Sequence, residues 1–270
     1  MKYYITLIIL LFITIVACNN QLPKSSTNDE LIDNESYESI IHTKELNIFS
    51  KFNTPTNYKR STITTDFGKW LNNISLKNNN VPVYTFDGKR KANPNVYVGV
   101  LDLEQPKKNV QFNSNAVLSL RIEFLYRSKK YAELDKLVDF YNNLTPYTKY
   151  VKGDYSYSKY MEYLTYFLEN TTPNTLKEFL KPVSIKDIQI GDVLFQRGNT
   201  KSHAVIVMDL AQDEMGNKII ILAQSYYPSQ DIQIVTNPSN DFISPWYKAT
   251  EGVILTPEWR FLSSDLMRFK

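Results

Sequence analysis

Residues 191–230 read GDVLFQRGNTKSHAVIVMDLAQDEMGNKIIILAQSYYPSQ, Gly191 through Gln230, and this stretch decides the fold. Residues 193–196, 203–210 and 218–225 are rich in β-branched and apolar side chains and are bounded by polar turns, as strands are. Gly191-Asp192 leads into the first, and residues 212–217, with Gly216, turn the chain between the second and third. So short a connection requires the last two strands to pair antiparallel. A turn centred near residues 213–214 sets His203 opposite either Gln224 or Ser225, two registers one residue apart. Directly opposed side chains have Cβ atoms about 4.5 to 5.5 Å apart, so the imidazole reaches an amide or a hydroxyl at the open end of the hairpin.

Toward the N-terminus the pattern is helical. Residues 175–182 form a short helix closed by Pro182, and residues 156–170 carry Tyr160, Tyr163, Leu164, Phe167 and Leu168 on one face. A helix over 131–141 is preceded by one capped by Ser114 or Asn115, whose Val117, Leu118, Leu120, Ile122, Phe124 and Leu125 cover a wide arc and predict burial. Alternation around Asp87-Gly88 predicts two or three strands within 81–103, and Phe67, Trp70, Leu71 and Ile74 give a helix started by Thr65 or Asp66. Toward the C-terminus, 244–247 (SPWY) and 256–261 (TPEWRF) hold two of the 3 Trp and are read as packing over the hairpin, with ligand stacking as the sharper alternative. The pattern predicts an α+β fold, helices packed on a small antiparallel sheet, over residues 46–270.

The chain begins with Met1-Lys2 and an apolar run over 5–16, the length of a signal-peptide core and short for a bilayer span. The run ends on Ile15-Val16-Ala17-Cys18, which resembles a bacterial lipobox, and Cys18 is the single Cys of the chain. That resemblance implies a signal peptide over 1–17, lipid on Cys18, and attachment to the cell envelope, with the outer membrane facing the periplasm as the expected place. More than one acyl chain gives stable anchoring, because each buried methylene contributes about 0.8 kcal/mol. Residues 18–45 are polar and aperiodic, a tether in which His42 has no partner residues nearby. A lipidated Cys18 leaves the body without a thiol, which excludes disulfides, Cys-ligated zinc and a Cys nucleophile. With 31 Lys plus Arg against 28 Asp plus Glu and no long basic block, nucleic acid is not an expected partner.

The Gly191-Asp192-Val193-Leu194-Phe195 strand followed by His203-Ala204-Val205-Ile206-Val207 resembles the papain-like, NlpC-type cell-wall peptidases. That resemblance implies a papain-like domain in which His203 matches the general base and Gln224 the residue that orients it. It also implies a Cys nucleophile at the N-terminus of a buried helix, where the helix dipole favours thiolate. The candidate helix starts near residues 113–115, where no Cys is present. LRIEFLY (120–126), IGDVLFQRG (190–198), HAVIVMDLA (203–211), LAQSYYPSQDI (222–232), NPSNDFISPWY (237–247) and TPEWRF (256–261) resemble a family of bacterial lipoproteins known as a domain of unknown function. Its members often carry Gln-Cys-Ala-Asp where this chain reads Phe112-Asn113-Ser114-Asn115.

Two functional expectations follow. The first is a cleft without its thiol that binds an envelope glycan or peptide, lined by His203, Gln224, Ser225, Asn113, Ser114, Tyr226, Tyr227 and Gln230, the tyrosines pairing a flat apolar face with a hydroxyl. The second is an amide or ester hydrolase acting on peptidoglycan, with His203 as base, Gln224 as orienter and Ser225 or Ser114 as nucleophile, an alcohol being much the poorer nucleophile near neutral pH. No metal or cofactor is expected, since one body His does not make a typical zinc site. Asp192, Asp209 and Glu258 are the candidates for metal or carboxylate chemistry and the Asp102/Glu104 pair for acid–base work, but all are strand-end or loop acids of the kind usually solvated.

Overall fold

The computed structural model describes residue 41 and residues 46–138, 144–172, 175–197 and 202–270. The expected signal segment, Cys18, His42 and the loop at 198–201 lie outside the described residues. Residues 39–270 group as one unit.

The helices are α1 (Ile48–Lys51), α2 (Asp66–Asn72), α3 (Ser114–Arg127), α4 (Tyr131–Lys136), α5 (Tyr147–Val151), α6 (Tyr157–Glu169) and α7 (Thr175–Glu178). The strands are β1 (Lys59–Arg60), β2 (Tyr97–Val100), β3 (Leu180–Pro182), β4 (Val193–Arg197), β5 (Ser202–Gln212), β6 (Lys218–Gln224), β7 (Gln233–Val235), β8 (Trp246–Lys248), β9 (Val253–Leu255), β10 (Arg260–Leu262) and β11 (Leu266–Phe269). A sheet of nine strands runs β2-β7-β6-β5-β4-β11-β3, with β1 added to β5 and β8 to β6, and β9 and β10 make a separate pair. Every ladder is antiparallel. The molecule is α+β on a mostly antiparallel sheet, larger than the small sheet expected from sequence.

Strand β5 is its centre. Every residue from Ser202 to Ala211 is buried, so both faces are covered, and α1, α2 and α3 pack against it. Helix α3 is buried from Ser114 through Leu120 and again over Ile122–Leu125, as its wide apolar arc requires. Each such aliphatic side chain contributes about 1.5 to 3 kcal/mol when fully buried. Helix α6 presents Tyr160, Tyr163, Leu164, Phe167 and Leu168 to the core, and Tyr160 stacks 4.1 Å from Tyr126 of α3. Helix α2 starts where Thr65 accepts a hydrogen bond from the Gly68 amide at 3.0 Å, the expected cap.

Four expectations need correction. The helix expected over 175–182 ends at Glu178, and Leu180–Pro182 is strand β3, paired with β11. The alternation near Asp87-Gly88 closes a tight turn with Gly88 at φ 79 and a lone Tyr84–Arg90 bridge, and only 97–100 becomes a strand. The β5–β6 turn is longer than a 213–214 centre allows. The Asp213 carboxylate accepts from the Met215 and Asn217 amides, and Gln212 pairs with Lys218. A bulge at Met208 then shifts the ladder, so that Val207 pairs with Leu222 and Ile206 with Ala223. His203 therefore faces neither Gln224 nor Ser225 directly. Its partner is Gln196 on β4, and the Ile206–Ala223 register carried toward the open end sets Gln224 level with Val205, diagonal to His203 on the same face.

Candidate functional site

The site forms where the open end of the β5–β6 hairpin meets the N-terminus of α3. His203 is fully buried. Its ring lies 5.4 Å from Tyr226, 5.2 Å from Trp259 and 5.9 Å from Phe261, centroid to centroid. Trp259 is fixed by its indole N–H donating to Gln196 Oε1 at 2.9 Å. These rings remove the imidazole from water.

Both ring nitrogens have partners. His203 Nε2 lies 2.8 Å from Gln224 Oε1, and His203 Nδ1 lies 3.1 Å from Asn113 Oδ1. Gln224 Nε2 donates to Glu258 Oε2 at 2.6 Å, and the Glu258 carboxylate accepts from Lys91 Nζ at 2.7 and 3.0 Å. A carboxylate accepts only, so the Gln224 NH₂ must face Glu258 and its oxygen must face the ring. Nε2 then carries the imidazole proton. Burial, and secondarily the nearby Lys91 charge, push the His203 pKa down to about 4 against the support of Gln224. At neutral pH the ring is uncharged, with a lone pair on Nδ1 directed at Asn113. Rotation of the Asn113 amide about χ2 exchanges its ends, and Nδ2 toward the ring satisfies that lone pair.

Asn113 holds its place through its backbone. It has φ 51 and ψ −121, outside the regions open to most residues, and it precedes α3 without capping it by its side chain. Neighbouring bonds fix this turn. The Gln111 amide donates to Ser229 Oγ at 2.9 Å, and the Asn115 side chain donates to Val110 O at 2.8 Å. The side chain released from capping reaches His203 instead.

Beside these groups lies a cavity of about 380 Å³ lined by Phe112, Asn113, Ser114, Asn115, Thr171, Thr172, Ser202, Tyr226, Tyr227 and Trp259. Tyr227 is 62% exposed and rests edge-on against Phe112 at 5.5 Å. Asn113, Ser114, Tyr226 and Tyr227 thus share one cavity next to His203 and Gln224. Ser225 and Gln230 do not line it. Ser225 is buried, its hydroxyl donating to Gln230 O at 2.9 Å and accepting from Gln230 N at 3.3 Å. This pair closes the 225–230 loop.

No motif or periodicity in the sequence marks Lys91 or Gln233. Gln233 is the cross-strand partner of Gln224, fully buried, and neither end of its amide is hydrogen-bonded among the described residues. Lys91 lies in an irregular loop and meets Glu258 only through the fold. Trp259 lines the cavity, whereas Trp246 is core, its N–H donating to Asn53 O at 2.8 Å. Asp192 and Asp209, read as solvated, are buried and paired with Arg268 and Arg60 at 2.7 and 2.8 Å, their pKa values raised by burial. Among the described residues no group of three His, Cys, Asp or Glu is placed to hold a metal ion.

These features define an α+β protein with a mostly antiparallel sheet and a buried amide–imidazole–amide–carboxylate chain beside a cavity. The chain belongs to the family described as "Domain of unknown function (4846)", whose model matches residues 48–137 and 136–268. No curated protein and no solved structure matches it. No helix among the described residues is long and apolar enough to cross a membrane.

Proposed function

We propose that this protein is a lipid-anchored cell-envelope protein whose papain-like cleft binds an envelope glycan or peptide without cleaving it. The contact between Asn113 and His203 Nδ1 carries the reading. In the papain-like arrangement the general base faces a nucleophile at the N-terminus of a buried helix. Here that place holds a carboxamide, whose nitrogen lone pair is delocalised and whose proton is too weakly acidic for imidazole to remove. The base has nothing to activate.

The serine route has less support. Neither ring nitrogen is directed at a hydroxyl, and Ser225 Oγ is committed to Gln230. The cleft keeps what binding needs: an exposed Tyr227, a wall of Tyr226 and Trp259, and amide and hydroxyl groups from Asn113, Ser114 and Thr171. Anchoring rests on the lipobox-like residues ending at Cys18.

The test incubates the full-length protein with peptidoglycan fragments and follows both binding and product. Saturable binding without product, weakened by Tyr227→Ala, is expected. Product formation that is lost in His203→Ala or Ser114→Ala would establish the hydrolase instead. Palmitate labelling lost in Cys18→Ser checks the anchor.

A further inference from the structure

A second concentration of chemistry surrounds Arg121, farther along α3. Its guanidinium carbon lies 4.9 Å from the centroid of Phe67, 5.3 Å from Phe269 and 5.4 Å from Phe124. Three aromatic faces stabilise a cation but accept none of the five N–H bonds of a guanidinium. Among the described residues no ion pair or hydrogen bond takes them up. Glu133 is the carboxylate whose charge reaches Arg121, yet it sits 3.7 Å from Lys130 Nζ and pairs there. Arg121 is a mostly desolvated cation with open donors.

That cation lines a cavity of about 330 Å³ together with Lys130, Arg268 and Lys270, against the carboxylates Asp66 and Asp192. Four cationic and two acidic side chains line it, and Glu133, outside the lining, pairs with Lys130, leaving 4 − 3 = +1. Asp192 is already committed, accepting from Arg268 Nε at 2.7 Å and Nη2 at 2.8 Å. The excess charge therefore falls on the Arg121 side. A planar fork of donors matches an oxyanion two bonds at a time, and a phosphate offers the open donors of Arg121 more acceptor oxygens and more charge than a single carboxylate.

We propose that this cavity binds a small phosphate-type oxyanion, free or as a soluble ester, with Arg121 donating to its oxygens and Lys130 and Lys270 supplying charge. The site is independent of the His203 cleft.

Calorimetric titration of the full-length protein at low ionic strength with inorganic phosphate, glycerol 3-phosphate and acetate tests it. Saturable uptake of at least one of the two phosphates is expected, with acetate bound at least about tenfold more weakly. Tighter binding of glycerol 3-phosphate assigns an esterified ligand, and the reverse order assigns free phosphate. Arg121→Met is expected to lower affinity at least about tenfold, and His203→Ala to leave it unchanged. Near-UV circular dichroism shows whether Arg121→Met folds, and if it does not, a several-fold loss in Lys130→Gln carries the test. Absence of saturable phosphate binding, equal affinity for acetate, or wild-type affinity in the folded Arg121→Met (in Lys130→Gln where that variant does not fold) overturns the proposal.

Discussion

His203 and Asn113 meet side chain to side chain across the junction of β5 and α3, Nδ1 to Oδ1 at 3.1 Å. The contact joins the imidazole end of a polar chain to the carboxamide that precedes α3. Its other end, Gln224, Glu258 and Lys91, fixes which ring nitrogen holds the proton.

The geometry predicts what a thiol would do at this position. In Asn113→Cys the sulfur enters the N-terminal field of α3, which favours thiolate, and lies beside the unprotonated Nδ1, which can take up the thiol proton. Alkylation by iodoacetamide at pH 6 is expected to be at least about tenfold faster than in Asn113→Cys/His203→Ala. Peptide mapping separates the label at residue 113 from that at Cys18. Equal rates would show that His203 does not serve this position.

The buried imidazole also makes stability depend on pH. Its folded pKa of about 4 lies below the ordinary 6.5, so between those values the unfolded chain binds a proton that the folded chain refuses. Stability is unaffected by this group above about pH 6.5 and declines as pH falls to about 4, by about 3 kcal/mol in all. Urea midpoints at pH 7 and 4.5 should fall further for the wild type than for His203→Gln. Parallel declines would refute the prediction.

Arg268 holds the Asp192 carboxylate, which is fully buried at the entrance to β4 and also accepts from the Gln189 amide at 2.8 Å. Arg268→Met leaves that charge in the core without its cation. A loss of about 3 to 5 kcal/mol in urea unfolding is expected.

Tyr163 gives the opposite sign. Its ring is fully buried in the tyrosine cluster of α5 and α6, 5.0 Å from Tyr147, and its hydroxyl has no hydrogen-bond partner among the described residues. Tyr163→Phe removes a desolvated polar atom while keeping the ring, and is expected to raise stability by about 1 kcal/mol. A fall in the thermal midpoint would show that the hydroxyl is satisfied.

Local pattern carried the long elements. The wide apolar arc of α3, the single face of α6 and the β-branched runs of β4 to β6 are periodic over enough residues to identify themselves. Strands β3, β7, β8, β9, β10 and β11 escaped because each has three or four residues, too few to show a period. Their partners are also distant: Leu180 of β3 pairs with Phe269 of β11, and Leu266 of β11 with Leu194 of β4. Within the site, His203 and Gln224 share one hairpin and could be linked by counting along it. Lys91 and Glu258 meet from far apart in the chain, and no local signal marks either.

The sequence by itself determined that residues 203–224 form an antiparallel hairpin with one His at its open end, that a buried helix begins near residues 113–115, and that no thiol lies in the body. Those are consequences of periodicity, turn length and residue counts, which are properties of neighbouring residues. The tertiary structure decided that Asn113 touches Nδ1, that Gln224 is oriented by Glu258, and that Ser225 closes a loop away from the cavity. These depend on a bulge at Met208, a strained turn at Asn113 and pairings across most of the chain, so only packing of the whole body could fix them.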